Sequence, residues 1–372
     1  MERVLIGLDG GATELKAHEV VSLFGGLYEL GPCREVRAWR DDPRACFEPA
    51  PLAQQLEQQL EQQRASLVER ASELSREERA AGDAWVELTA DAIAALARAA
   101  GAREVELGAC FPGLKTRDAR GIAVSKNGPR IPDFAARIEA AVEARGVRVA
   151  APLRALWSDG YCCGVGEEHA ASGAFRGVRD AYYVGGGTGI AEAFKLDGRV
   201  RSLDELAPRF HKAWELEVAP GLTFEDELAP SRINARWRAL APGPHGREFV
   251  ELAAGDGDPR AAELLERAGA CAAALCFERL TRARSNPERP QVLERIVVGQ
   301  RLGQILDDAG GAVLRAAWHE HLAAMLAGCR DVELERAWLR AGELVAERLV
   351  VSKLRAAPAL GAAVLARELV TA

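Results

Sequence analysis

Two short glycine-rich turns carry the clearest chemical potential in this sequence. Asp9-Gly10-Gly11-Ala12-Thr13 follows the apolar run Val4 to Leu8, and Gly185-Gly186-Gly187-Thr188-Gly189 follows Ala181 to Val184. A turn without side chains lets backbone N–H groups close around phosphate oxygens, and the hydroxyls of Thr13 and Thr188 add a donor at the matching place in each. Asp9 ends the first run, where a carboxylate beside a phosphate loop can hold a hydrated Mg2+ ion; an Asp there also suits a plain turn. One such turn says little, because glycine turns join strands everywhere. Two in the same setting, one per half of the chain, point to a phosphate-bearing ligand.

Such turns need strands on either side. Leu15 to Val21 resumes a strand-like pattern after the first turn, and Gly25 to Leu30 predicts a third strand that Gly31-Pro32 should stop. Ile190 to Leu196 is the strand after the second turn, and it should reverse at Asp197-Gly198. Between the turns, Pro51 to Ala81 interleaves Gln54, Gln55, Gln58, Gln59, Gln62 and Gln63 with leucines, a helical spacing whose apolar stripe is too thin for a core. An exposed, partner-facing or lid-forming helix is expected there. Trp85 to Ala100 should be a buried helix stopped by Gly101, Val105 to Phe111 a strand ending at Pro112-Gly113, and Phe134 to Arg145 a helix ending at Gly146. Pro259 to Arg284, Val313 to Leu326 and Pro358 to Leu369 predict further helices, and Arg295 to Val298 a strand ending at Gly299. The pattern is two α/β halves, each opened by a glycine-broken hairpin.

Composition narrows the function classes. At 372 residues and 48% hydrophobic, the chain can build two ordinary cores and is not disordered. Lys+Arg at 48 against Asp+Glu at 55 leaves a net charge of -7 with no basic run, so no nucleic-acid partner is expected. No stretch approaches the roughly 20 apolar residues of a membrane span and no signal peptide opens the chain, which predicts a soluble, cytoplasmic protein with no membrane partner. The eight cysteines lack any paired C-x-x-C and read as reduced core thiols, the vicinal Cys162 and Cys163 included. His319 and His321, two residues apart on a helix, face different ways and make a poor metal pair.

Several segments, in order, resemble the ROK sugar kinases of the actin-like ATPase superfamily. "IGLDGGAT" (Ile6 to Thr13) and "GGGTGI" (Gly185 to Ile190) are similar to that family's two phosphate motifs. "FPG" (Phe111 to Gly113) and "GIAVSKNGPRIPDF" (Gly121 to Phe134) resemble the segment lining its sugar pocket. "WSDG" (Trp157 to Gly160) falls where the family has Glu-Asn-Asp-Ala, "ERIVVG" (Glu294 to Gly299) matches its adenosine-facing strand and turn, and "APALGAAVLA" (Ala357 to Ala366) its last helix. The resemblance covers the chain apart from about residues 34 to 82.

What the resemblance implies is an α/β, two-lobed actin-like ATPase (ribonuclease H-like) fold with the active site in the interlobe cleft. The first lobe would span 1–155 with a helical insertion at about 34–82; the second would span 156–372, its final helix at about 358–370 packing back on the first. The implied activity is ATP- and Mg2+-dependent phosphorylation of a hexose or amino sugar, glucose first, by a homodimer. Asp159 would be the general base, Asp9 would hold Mg2+, and Gly10, Gly11, Thr13, Gly186, Gly187, Thr188, Gly189 and Gly299 would bind ATP. Gly113, Asn127, Ser158 and Asp159 would line the sugar site, with His211 and Glu215 the nearest candidates for further sugar contacts. Read from the residues alone, Asp159 also suits a helix N-cap and Asn127-Gly128 a tight turn.

Three departures stand out. The family's His and Cys-x-Cys-Gly zinc motif is missing, so no structural zinc is expected; Ser158 stands where an Asn is usual; Gln300 replaces a glycine. They favour a rival reading, a sugar sensor that keeps the fold without turnover, though no helix-turn-helix precedes Asp9. A second rival, an ATPase activating an iron-sulfur enzyme, would need a cluster between subunits, for which adjacent Cys162 and Cys163 are badly spaced.

Overall fold

The computed structural model describes residues 3–50, 54–55, 74–241, 248–286 and 289–371. The chain divides into two compact units, residues 1–171 with 356–372, and residues 172–355. Each is a mixed sheet flanked by helices.

In the first unit, β1 (Arg3–Gly10) lies between β2 (Glu14–Ser22), antiparallel to it, and β4 (Glu104–Cys110), parallel to it. β3 (Tyr28–Ala38) pairs with β2 at the edge, and the short strands Arg148–Val149 and Leu156–Trp157 run parallel to β4 on its other side. Val4 to Leu8 is buried without interruption, as a central strand covered on both faces requires. The cover on one face is the C-terminal helix Ala357–Thr371. It lies so close that a Cβ on Gly7 would collide with the Ala359 carbonyl, and one on Gly108 with the Ala362 carbonyl. The helix Asp159–His169 meets it the same way, Gly361 against the Cys162 carbonyl and Gly166 against that of Ala357. This packing is why the first unit extends to Ala171 rather than ending at 155.

Two expectations are corrected here. Gly31-Pro32 does not stop the third strand, which runs on to Ala38. Proline is tolerated because β3 is an edge strand and its pairing shifts register at this point, between His18 and Val20. The buried Glu19 carboxylate fills the gap and accepts the Cys33 N–H at 3.1 Å. The segment from residue 34 is therefore not a helical insertion from its start: among the described residues, strand continues to Ala38, two short turns follow at Trp39–Asp41 and Pro43–Ala45, and a helix spans Arg76–Ala99. Of the glutamine-rich stretch only Gln54 and Gln55 are among the described residues. Gln54 is exposed, but Gln55 is buried.

The second unit centres on the strand Ala181–Gly186, antiparallel to Ile190–Leu196 and parallel to Arg295–Gly299. Asp197-Gly198 makes the expected tight reversal, both residues at positive φ (55° and 78°). The helices Pro259–Arg284 and Ala312–Ala327 pack face to face, with Gly269 at the crossing against the Leu314 carbonyl. Tyr182, Phe194, Phe210, Leu265, Leu275 and Trp318 fill the core between helices and sheet. Among the described residues no helix is long and apolar enough to cross a membrane.

Candidate active site

Asp9, Cys110 and Trp157 sit level with one another at the carboxyl ends of three parallel strands. That edge is where loops leave an open α/β sheet and where such sheets bind ligands. Asp9 faces Lys16 across the β1–β2 hairpin, and the Cys110 thiol lies 3.9 Å from its Oδ1. Burial pushes the Asp9 carboxyl up to about 6; the Lys16 charge opposes this, and the charges of Asp159 and Glu14 add to it. Asp9 and Asp159 are thus electrostatic neighbours, joined through space although 150 positions separate them.

The turn after Asp9 is braced by residues with no motif of their own. Gly11 donates to the Glu14 carbonyl at 2.9 Å, the Trp39 indole N–H donates to the Gly11 carbonyl at 2.9 Å, and the Trp39 amide donates to the Thr13 carbonyl at 3.0 Å. A Cβ on Gly10 would enter the Phe111 ring. Thr13 itself is exposed.

Asp159 opens its helix but does not cap it. Ser158 is the N-cap, its hydroxyl accepting the Tyr161 N–H at 3.4 Å, while Asp159 Oδ1 accepts the Gly160 N–H at 2.9 Å. The helix-cap reading of Asp159 is therefore wrong, and it is Ser158 whose oxygen serves the helix. Gly113, at φ 92°, sits in a turn that Lys115 closes by donating from Nζ to the carbonyls of Phe111 and Gly113, both at 2.7 Å. Asn127 is exposed at the tip of its loop, and Gly128 beside it rests against the Trp85 ring. That loop is held by Gln55, whose amide exchanges two hydrogen bonds with the Ser125 backbone, at 2.8 and 3.1 Å, and by Glu78, which takes the Arg130 side chain at 2.7 Å. Gln55 is thus a buried clamp on this segment, while Gln54 beside it is exposed. Lys115, Trp39 and Glu78 were missed in the sequence, since none sits in a motif or a repeating spacing, and Gln55 was read only as one of a row of glutamines.

In the second unit, the Gly185–Gly189 turn is folded on itself, Gly187 N–H donating to the Gly189 carbonyl at 3.0 Å. Ser231 holds it from one side, through its amide to Gly187 and its hydroxyl to the Thr188 carbonyl. Glu225 holds it from below, its carboxylate accepting the Ile190 N–H at 2.9 Å and lying under Gly189. Thr188 stays exposed. Gly299 cannot carry a side chain, since a Cβ would meet the Tyr183 hydroxyl, and Gln300 beside it is left-handed at φ 54° and bridges to Gly186. His211 and Glu215 are exposed, with His211 Nδ1 3.9 Å from the Glu215 carboxylate. Glu215 also accepts the Lys212 N–H at 2.7 Å.

Among the described residues no group of three or more His, Cys, Asp or Glu could hold a metal ion by itself. Mg2+ does not need such a group, since it keeps waters and takes one or two carboxylates plus substrate phosphates. Asp9 fits that mode: it is a carboxylate crowded by burial and by two further acids, and a cation would relieve it. Cys162 and Cys163 are fully buried, which removes them as ligands of a cluster shared between subunits.

No family model and no curated protein matches the sequence. Solved structures do. A ROK family glucokinase from Streptomyces griseus, in complex with glucose and AMPPNP, superposes over 98% of this chain and 99% of its own with a TM-score of 0.61 at 16% identity. A ROK hexokinase from Thermus thermophilus covers 99% of both chains with a TM-score of 0.55 at 19% identity. A ROK family transcriptional regulator, a homologue of the E. coli MLC protein, covers 99% of this chain and 78% of its own with a TM-score of 0.56 at 15% identity. The chain therefore has the two-lobed, actin-like α/β fold of the ROK sugar kinases.

Proposed function

We propose that the protein phosphorylates a hydroxyl of a hexose or amino sugar with ATP. The observation that carries this is the placement of Asp9, the Phe111–Gly113 turn and Asp159 at the ends of adjacent parallel strands. In this reading Asp159 accepts the proton of the sugar hydroxyl as its oxygen attacks the terminal phosphorus and the bond to the ADP oxygen breaks. Gly10, Gly11 and Thr13 in the first unit, and Gly186 to Gly189 with Gly299 in the second, bind the donor. Gly113, Asn127, His211 and Glu215 bind the sugar. Asp9 holds Mg2+, which when bound neutralises charge on the phosphates. Trp39, Ser231 and Glu225 keep the two turns in shape, so that little reorganisation is needed when phosphate arrives. Glucose is the first substrate to try and a homodimer the expected assembly.

A sensor without turnover is the second reading. Ser158 favours it, because a hydroxyl that already accepts the Tyr161 N–H offers a sugar fewer bonds than a side-chain amide would. The test is ADP release with Mg-ATP against a panel of hexoses and N-acetylated hexosamines, with Asp159→Asn beside the wild type. Sugar-dependent turnover that falls about a thousandfold in the variant supports the kinase. Sugar binding without turnover in the wild type supports the sensor.

A further inference from the structure

Arg279 and Glu192 form a buried ion pair in the second unit, with side-chain exposures of 0% and 3% and an N–O distance of 2.6 Å. Tyr182 donates its hydroxyl to Glu192 at 2.7 Å, and Glu278 takes another edge of the guanidinium at 2.7 Å. Burial disfavours the guanidinium charge, and Glu192, Tyr182 and Glu278 together more than restore it. Ion pairs of this kind add little stability over a well-packed apolar pair, so their retention calls for another explanation.

The explanation lies in where the remaining bonds go. Arg279 Nη2 donates to the His211 carbonyl at 2.7 Å, and Glu192 Oε2 accepts the Ala213 N–H at 2.7 Å. Both ends of the pair thus grip one three-residue stretch. Between them Lys212 donates its amide to Glu215, so the backbone that the pair fixes also fixes the carboxylate beside His211. An apolar pair of the same volume would fill the core and leave the carbonyl of 211 and the amide of 213 without these partners.

We propose that Glu192 and Arg279 are positioning residues for sugar recognition, holding 211–213 so that His211 and Glu215 present one geometry to the substrate; this rests on the kinase reading above. The pair touches no reacting atom, so it should govern sugar affinity and leave the chemical step alone.

The test compares sugar KM and kcat in the wild type and in the double variant Glu192→Met with Arg279→Met, which keeps apolar bulk and leaves Glu278 its pair with Arg282. The expected result is a sugar KM raised about tenfold or more with kcat within about threefold. In a Glu215→Gln background the double variant should raise KM little further, since both changes act on one contact set. An unchanged KM in an active variant, or effects that multiply independently, overturns the inference and leaves the kinase standing. Should the double variant fail to fold, Glu192→Gln carries the same comparison. Where the wild type binds a sugar but does not turn it over, hydrogen exchange gives the readout: glucose or another bound hexose should slow exchange of the 211–215 amides, and binding without that protection overturns the inference. If no sugar binds, the kinase reading and this one fall together.

Discussion

The indole of Trp39 lies flat on that of Trp85, ring centroids 4.0 Å apart and planes within 8°, while its N–H donates to the Gly11 carbonyl. Trp85 in turn supports Gly128, so one stacked pair connects the first glycine turn to the loop that carries Asn127. Trp39→Ala should cost about 3–5 kcal/mol, as for other buried tryptophans. Trp39→Phe keeps much of the stack and loses the bond to Gly11, at about 1 kcal/mol. Urea unfolding measures both. If phosphate grips that turn, Trp39→Phe should also raise the KM for ATP more than that for sugar.

Asp9 predicts a pH dependence in the metal-free protein. Its carboxyl is raised to about 6 from 3.8, so the folded state holds a proton that the unfolded state releases between these values. Stability therefore falls as pH climbs from about 4 to 6, and above 6 the protein remains less stable by about 3 kcal/mol from this group. Asp9→Asn should remove that slope and leave the protein more stable at neutral pH. Denaturant midpoints from pH 4.5 to 7.5 show it; an unchanged slope in the variant would place the titration elsewhere.

Glycines in this chain should separate sharply by role. Gly361 has no room for a Cβ against the Cys162 carbonyl, so Gly361→Ala should destabilise by about 3 kcal/mol or more. Gly187 has nothing within 4 Å of such an atom and needs no positive φ. Gly187→Ala should therefore change stability by less than about 1 kcal/mol, yet weaken nucleotide binding if phosphate sits against the turn. Thermal melts with and without Mg-ATP distinguish the two effects.

Gln300 occupies a left-handed conformation that costs a non-glycine residue about 1 kcal/mol. Gln300→Gly should recover up to that amount, visible as a higher melting temperature. A lower melting temperature would mean that the side chain's own contacts outweigh the backbone strain.

The sequence made legible what local pattern encodes. The β1–β2 hairpin, the Ala181–Leu196 hairpin and the helix Pro259–Arg284 fall where periodicity and glycine turns predict them. Gly31-Pro32 misled because the stop rule holds for central strands, and only tertiary context makes β3 an edge. Among the glutamines, the stripe reports average exposure and says nothing about one residue aimed inward, as Gln55 is; Gln58, Gln59, Gln62 and Gln63 lie outside the described residues. The Glu192–Arg279 pair lay beyond reach: its members are 87 positions apart, and an acid in a strand and a base in a helix are ordinary on their own. Asp9 drew attention from the residues alone, as a carboxylate ending a strand before a glycine turn, whereas Asp159 drew it only through the resemblance.

The C-terminal helix also constrains the order in which the molecule can be made. Gly7, Gly108 and Gly166 form a bed for Ala357–Thr371, yet residues 172–355 are synthesised between that bed and the helix that fills it. During translation the first unit must wait, its apolar β1–β4 face open, until the second unit has left the ribosome. The second unit is contiguous in sequence and has no such wait. The half of the chain that is synthesised first would then be the last to finish folding.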